Sequence, residues 1–271
     1  MHTFLILIVL YKKDIQESES LQSILQSEHD FFQYKLVIWD NSPVKMLDKQ
    51  DLEVIKEKIC VDYIHNSRNE SLSIVYNEVV EKYEKDYSFI IIFDHDTLIP
   101  SDFFDKTEIA VSKISRKCRL ILPKVKANSA LVSPAKLYWF YGRRLGKVLS
   151  GYMDSKNKTA INSGMIIDMH LFIDGFRYDT ALNFYGIDNC FMELYAKKYP
   201  LFYVLDVELN HSLDFFNGNE SFERRLERFQ NMSDAILYIN SRGWLRRYFC
   251  VLYLFIVKCR FKLRYKYFNN G

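Results

Sequence analysis

Phe89-Ile90-Ile91-Ile92-Phe93-Asp94-His95-Asp96-Thr97 is the stretch from which the fold of this chain is read. Its five consecutive apolar residues describe a strand buried on both faces. Two carboxylates follow at the C-terminal end of that strand, the end where ligands bind in open α/β sheets. Asp94 and Asp96 are two residues apart, so they share a face on a continuing strand, and a turn brings both toward one point. Adjacent carboxylates repel each other. A divalent cation that takes oxygen ligands, Mg²⁺ or Mn²⁺, relieves that repulsion and bridges to substrate phosphates. The plainer alternative is two solvated acids opening a turn.

Outward from this stretch, short apolar runs alternate with amphipathic ones. Thr3–Tyr11, Lys35–Trp39, Val61–His65, Ser88–Phe93 and Leu120–Pro123 are expected strands. Glu17–Ser27, Leu47–Lys58, Leu72–Lys85 and Asp102–Ser115 are expected helices between them. In the third helix Leu72, Val75, Tyr76, Val79 and Val80 form the apolar stripe. This alternation predicts a mostly parallel sheet covered by helices. Residues 124–157 break the rhythm and read as a long irregular segment, a feature that usually carries function or motion. Regularity returns at Ala160–Asp168, with a helix over Asp188–Lys198, a strand over Leu201–Asp206, and a helix over Phe222–Ile239.

Composition narrows the chemistry. The chain has 271 residues and 49% hydrophobic content, enough for a large packed domain. The first of its nine glycines is Gly142, so the early half holds neither a P-loop nor a G-x-G-x-x-G turn. Any nucleotide bound there is held without a glycine cradle. The five cysteines are scattered with no C-x-x-C pair, which suggests neither zinc nor disulfides and fits a cytoplasmic setting. Phe4–Tyr11 is too short for a membrane span and lacks the basic start of a signal peptide.

Further motifs accompany the acid pair. Val37-Ile38-Trp39-Asp40-Asn41-Ser42-Pro43 ends a strand in turn residues, and Asp40 there suits a base imide or a ribose hydroxyl as well as a turn. Asn69-Glu70-Ser71-Leu72-Ser73-Ile74-Val75-Tyr76-Asn77 enters a helix, with Asn69 and Ser71 as cap candidates and Asn77 on the helix. A phosphatase-type D-x-D-x-T nucleophile is the rival reading of the acid pair. That motif ends the first strand of its domain, whereas this one ends the fourth.

Together and in this order, the three motifs resemble the nucleotide-sugar half of a family 2 glycosyltransferase, in its rhamnosyltransferase-like branch. The resemblance covers roughly residues 3 to 215; Ser71 replaces a family glycine and His95 a family glutamine. It implies a GT-A-like α/β fold in residues 1–220, with 1–123 the nucleotide-binding half and 124–220 the acceptor and catalytic half. By the same resemblance Tyr11, Asp40, Asn69, Asn77, Asp94 and Asp96 contact the donor. Ile161-Asn162-Ser163-Gly164-Met165-Ile166-Ile167 resembles the strand beside the donor sugar and adds Ser163 and Gly164. Gly175-Phe176-Arg177-Tyr178-Asp179 resembles a family turn. Phe184-Tyr185-Gly186-Ile187-Asp188-Asn189 resembles the catalytic-base site, where Ile187 takes the first acidic position and leaves Asp188 as the base. At a helix N-terminus the dipole favours its ionised form. His211 joins Asp94 and Asp96 as the third implied metal ligand.

The implied reaction is inverting transfer from a dTDP- or UDP-sugar to a glycan or lipid-linked glycan acceptor in surface polysaccharide synthesis, with Mn²⁺ or Mg²⁺ as cofactor. A non-catalytic nucleotide-sugar-binding module is the alternative. Lys124, Lys126, Lys136, Arg143, Arg144 and Lys147 are further candidates for neutralising phosphate. From Ala235 onward the chain has eight basic residues and no acidic one, so its formal charge of +3 belongs to the tail and the rest is net negative. Within residues 221–271, Tyr248–Val257 is a ten-residue uncharged run between basic flanks. It is too short to span a bilayer and suits a helix on an anionic membrane surface, peripheral at the inner face; the alternative is a C-terminal helix packed on the body or on a second subunit. Basic residues interleaved with aliphatics on a net-acidic body argue against nucleic acid.

Overall fold

A computed structural model describes residues 2–127, 129–211, 221–241 and 243–268, apart from the side chains of His211 and of residues 264–268. The apolar runs fold as strands β1 (Phe4–Leu10), β2 (Tyr34–Asp40), β3 (Cys60–His65) and β4 (Phe89–Asp94), all parallel to their sheet neighbours among these four. Alternate residues of β1 serve opposite cores, which is why its run is apolar throughout. Leu5, Leu7 and Val9 pack with Tyr76 and Val79 on one face. Phe4, Ile6 and Ile8 pack with Leu21, Ile55 and Phe104 on the other.

Helices α1 (Glu19–Gln26), α2 (Lys49–Lys58), α3 (Leu72–Tyr83) and α4 (Phe103–Lys113) fill the intervals within one or two residues of expectation. Asp48 starts α2 in a reciprocal capping box with Asp51. Ser71 flanks α3 without capping it; its hydroxyl meets that of Ser73 at 3.2 Å.

The two-residue β5 (Thr97–Leu98) lies between β4 and α4, and beyond α4 come β6 (Leu120–Ala127), β7 (Ala130–Ser133), β8 (Ala135–Tyr138), β9 (Tyr141–Arg144), β10 (Gly151–Asp154), β11 (Lys158–Thr159), β12 (Met165–Asp168) and β13 (Leu201–His211). The main sheet runs β10-β13-β6-β12-β4-β1-β2-β3, while β11-β8-β9 form a small second sheet. β12 lies antiparallel between β4 and β6, whereas β13 is parallel to β6. The sheet is thus parallel over β1–β4 and mixed beyond. Short α5 (His170–Ile173), then α6 (Ile187–Lys198), α7 (Phe222–Ile239) and α8 (Trp244–Phe268) complete the elements.

Two expectations are corrected. Residues 124–157 are not one irregular segment but the end of β6 and four short strands. Strands of four residues carrying Lys136, Arg143 and Arg144 show no apolar periodicity to read. The strand expected to stop at Asp206 continues to His211, because buried Val207 and Leu209 alternate with exposed Asp206, Glu208 and Asn210.

Candidate active site

Register builds the floor of the site. Leu10 lies beside Asp40, and Val9 lies beside Asp94. The C-terminal ends of β1, β2 and β4 therefore reach one sheet edge together, bringing Tyr11, Asp40 and Asp94 there. β12 runs the other way, with Met165 beside Ile92, so Ser163 and Gly164 arrive at the same edge.

The acid-bearing turn is held from two sides. The hydroxyl of buried Ser163 accepts from the Asp94 amide at 3.1 Å and meets the Thr97 hydroxyl at 2.5 Å. From α1, the Ser20 hydroxyl bridges the carbonyl oxygens of Asp94 and Thr97. The Ser18 hydroxyl and Ser20 amide both donate to the His95 carbonyl at 3.2 Å. This fixes the backbone while the Asp94 and Asp96 side chains remain half-buried. Ser163, expected beside the donor sugar, is itself buried and acts as a support for the acids. Gly164 has φ +81°, and its amide donates to the Ile92 carbonyl at 2.6 Å. The backbone of His211 pairs with Thr97, next to Asp96; its side chain lies outside the described residues, so its metal role stays an expectation.

Asp40 sits differently from its expected role. It is fully buried, and its carboxylate accepts from the amides of Ser42 at 3.0 Å and Met46 at 2.8 Å and from the Tyr63 hydroxyl. That arrangement holds the 42–46 loop and leaves no open face of the carboxylate for a base. Asn41 pins the 66–71 segment: its side-chain oxygen accepts from the Glu70 amide at 2.8 Å and its amide donates to the Glu70 carbonyl at 2.7 Å. Asn69 is exposed at φ +50°. Tyr11 is partly exposed, with the Lys12 ammonium 5.1 Å from its ring centre. Asn77 is a clamp: it exchanges hydrogen bonds of 2.9 and 2.8 Å with the Tyr178 backbone. Lys124 and Lys126 pair with Asp206 and Glu208 of β13, at 2.9 and 2.6 Å, which occupies two of the expected phosphate-neutralising cations.

The Asn77 clamp has a consequence for the second half. With the Leu72 amide donating to the Asn183 carbonyl at 3.0 Å and the Ser73 hydroxyl to the Leu182 carbonyl, α3 anchors the whole 178–183 segment. Gly186 then flanks α6 at φ +76°, and Asp188 lies in the first turn of that helix, half-buried. Burial, reinforced by the Asp94 charge, pushes the Asp188 carboxyl up to about 6 despite hydrogen bonding from backbone amides. Desolvation thus outweighs the helix N-terminus, which was expected to favour the ionised form. Asp94 and Asp188 thus lie near enough for their charges to act on each other.

Sequence reasoning missed three residues there. Tyr76 is buried, with its hydroxyl raised well above its ordinary pKa by burial, then by Asp94, Tyr178 and Asp188; Asn162 sits beside that hydroxyl. Tyr178 is also buried and raised, first by burial and then by Asp188. Among the described residues, neither the Tyr178 hydroxyl nor the Asn162 side-chain oxygen has a hydrogen-bond partner. Such atoms cost roughly 1–3 kcal/mol each when left dry. Tyr76 was legible only as part of an apolar stripe, because nothing in helical spacing distinguishes a core tyrosine from one at a site.

The acid pair was tested against a divalent cation. No cluster of three or more His, Cys, Asp or Glu among the described residues could cage a metal unaided. Two carboxylates at a strand edge do suit Mg²⁺ or Mn²⁺, which keep waters and take further ligands from substrate phosphates. The donor set fits.

Known structures agree with this architecture. No family model and no curated protein sequence matches the chain. S. aureus TarS, residues 1–349, superposes with a TM-score of 0.60 at 12% identity, over 89% of this chain and 72% of that one. The complex of that TarS fragment with UDP-GlcNAc gives 0.60 at 13% identity, over 92% and 69%. GalNAc-T7 with UDP, GalNAc and Mn²⁺ gives 0.62 at 14% identity, over 89% of this chain and only 51% of that one. The chain has the α/β fold of the GT-A glycosyltransferases.

Proposed function

We propose that this chain is an inverting, metal-dependent glycosyltransferase of family 2, in the rhamnosyltransferase-like branch. It would move a sugar from a dTDP- or UDP-sugar to a glycan or lipid-linked glycan acceptor in bacterial surface polysaccharide synthesis. Residues 1–220 would be the transferase domain, with residues 221–271 bringing it to an anionic membrane surface at the inner face of the cell membrane. The observation that carries the reading is that Asp94, at the end of β4, and Asp188, in the first turn of α6, lie near enough for their charges to act on each other and on the buried hydroxyl of Tyr76.

Asp94 and Asp96 would hold the cation, with His211 as a third ligand. When bound, that cation neutralises charge on a departing diphosphate. The residues of the chain do the rest. Ser20 and Ser163 keep the acid-bearing turn rigid, so the donor meets a preformed edge. Tyr11, Asn69 and the backbone held by Asp40 and Asn77 would border the nucleotide. Asp188, with its carboxyl at about 6, is ionised at neutral pH yet basic enough to take the proton from an acceptor hydroxyl. Tyr178 and Asn162 supply unpaired polar atoms for sugar hydroxyls. A cavity of about 480 Å³ lined by Phe184, Tyr185, Asn231 and Tyr238 adjoins the segment leading to Asp188 and has the aromatic and amide lining a glycan acceptor needs.

Release of nucleoside diphosphate from a panel of dTDP- and UDP-sugars with Mn²⁺ tests the reading. Release from one donor, accelerated by an oligosaccharide acceptor, is the expected result. Phosphate release from a phosphomonoester with no sugar donor present would instead favour the phosphatase chemistry of the D-x-D-x-T motif.

A further inference from the structure

We infer that the β8–β9 hairpin and α8 form one composite face that seats the chain on an anionic bilayer. The inference deepens the membrane partner proposed for the C-terminal helix; it is independent of the transfer reaction.

The helix has one inward stripe. Cys250 and Leu254 are buried, and the ring of Phe261 stacks on that of Phe229 of α7 at 5.8 Å. Arg246 locks the start of the helix in place. Its guanidinium bonds the Asn240 side chain, pairs with Glu193 of α6 at 3.3 Å, and reaches the Trp139 carbonyl at 3.4 Å. Much of the remaining surface is apolar and exposed. Trp244 is 78% exposed, Tyr248 61% and Phe255 64%, and Leu252 and Ile256 are also exposed. An amphipathic helix docked only on its own protein would put such residues inside.

The hairpin extends this surface. Trp139 and Tyr141, at its tip, are about half exposed, although they lie in the body of the chain rather than in the tail. Their rings meet α8 directly, Trp139 to Phe249 at 6.4 Å and Tyr141 to Tyr253 at 6.3 Å. Aromatic rings with one polar atom suit the headgroup boundary of a bilayer. Arg143 and Arg144 follow Tyr141 on the exposed strand β9. Arg247, Arg260 and Lys262 are exposed on the helix.

Charge selects the occupant. From Ala235 onward the chain has no acidic residue. A second copy meeting this face would set arginines against arginines, whereas anionic lipid headgroups complement them. No helix among the described residues is long and apolar enough to cross a membrane, so the face would lie on the surface. Arg143 and Arg144 thereby acquire a membrane role in place of the phosphate role open to them in the sequence.

Co-sedimentation of the full chain with phosphatidylcholine vesicles, with and without phosphatidylglycerol, is the test. The chain should bind only the anionic vesicles and release at high salt. R143E/R144E should weaken binding at least about tenfold, since each basic residue near such a surface contributes to attraction. F255D should weaken it similarly. Vesicles carrying brominated acyl chains should quench Trp139 in a W244F chain, while buried Trp39 stays unquenched; this readout leaves the hairpin intact. If the chain binds but R143E/R144E binds equally and Trp139 is not quenched, the composite face is wrong and the helix alone docks. If the chain ignores anionic vesicles, or self-associates in a way that F255D abolishes, both the face and the membrane partner fall. Donor turnover is untouched by either result.

Discussion

Asp188→Asn is expected to cut sugar transfer by about 10²–10⁴-fold, the range typical of a general base, while leaving nucleoside diphosphate binding in place. The same change is expected to stabilise the fold. Asp188 has its carboxyl raised to about 6 by burial and by Asp94, against an ordinary value of 3.8. The folded chain therefore holds its proton more tightly than the unfolded chain does. Between about pH 4 and 6 the unfolded state binds fewer protons at this residue, so stability falls as pH rises through that window. At neutral pH the ionised group costs about 1–3 kcal/mol, a figure reduced from the full shift because the residue is partly open to solvent. Asparagine removes the charge and can still accept from the Asn189 amide, which donates to the native carboxylate at 2.8 Å. A higher melting temperature with lost turnover marks a group kept for chemistry. A structural cap would give the opposite, lower stability with retained turnover. The kcat/KM profile of the native chain should also fall below a pH near 6. Urea denaturation at pH 7.5 and a pH-rate series check the two halves of this expectation.

Gly164→Ala should lower stability by about 2–4 kcal/mol, or roughly 5–10 °C in melting temperature. A Cβ there would lie 2.4 Å from Leu209 Cδ1 and 2.7 Å from Pro123 Cγ, and the backbone is at φ +81°. Leu209 and Pro123 belong to β13 and β6, packed in the sheet, so neither can move far. The damage would spread to the acids, because Ser163 next door holds the Asp94 amide and the Thr97 hydroxyl. Gly142→Ala is the control: nothing lies within 4 Å of its added Cβ, and the change should stay within about 0.5 kcal/mol. Thermal unfolding of both variants tests the contrast.

The parallel half of the sheet was legible because buried strands and amphipathic helices each leave a period, and β1–β4 and α1–α4 lie where those periods run. The acid pair was legible for the same reason: a turn after an apolar run is visible in sequence. What happens across the sheet was not. That Asp40 serves the 42–46 loop depends on Tyr63, 23 residues away, and that Asn77 clamps Tyr178 depends on a contact across 101 residues. No local spacing encodes such pairs. The hairpin at Tyr138–Tyr141 was invisible because its aromatics answer to α8, more than a hundred positions further on, rather than to a neighbouring strand. The Tyr76–Asn162–Tyr178 cluster was missed because its members come from helix α3 and two separate connecting segments, each with an ordinary local explanation.

The most direct measurement is the melting temperature of the chain with UDP or dTDP, each with and without Mn²⁺, repeated for Asp96→Ala. A nucleotide at a hundredfold excess over its Kd should stabilise the native chain by about 2.7 kcal/mol, or roughly 5 °C, and only when the metal is present. Asp96→Ala should fold normally and lose that shift. An equal shift with and without metal, or an unchanged response in Asp96→Ala, would contradict the claim that these carboxylates hold the cation to which the donor diphosphate binds.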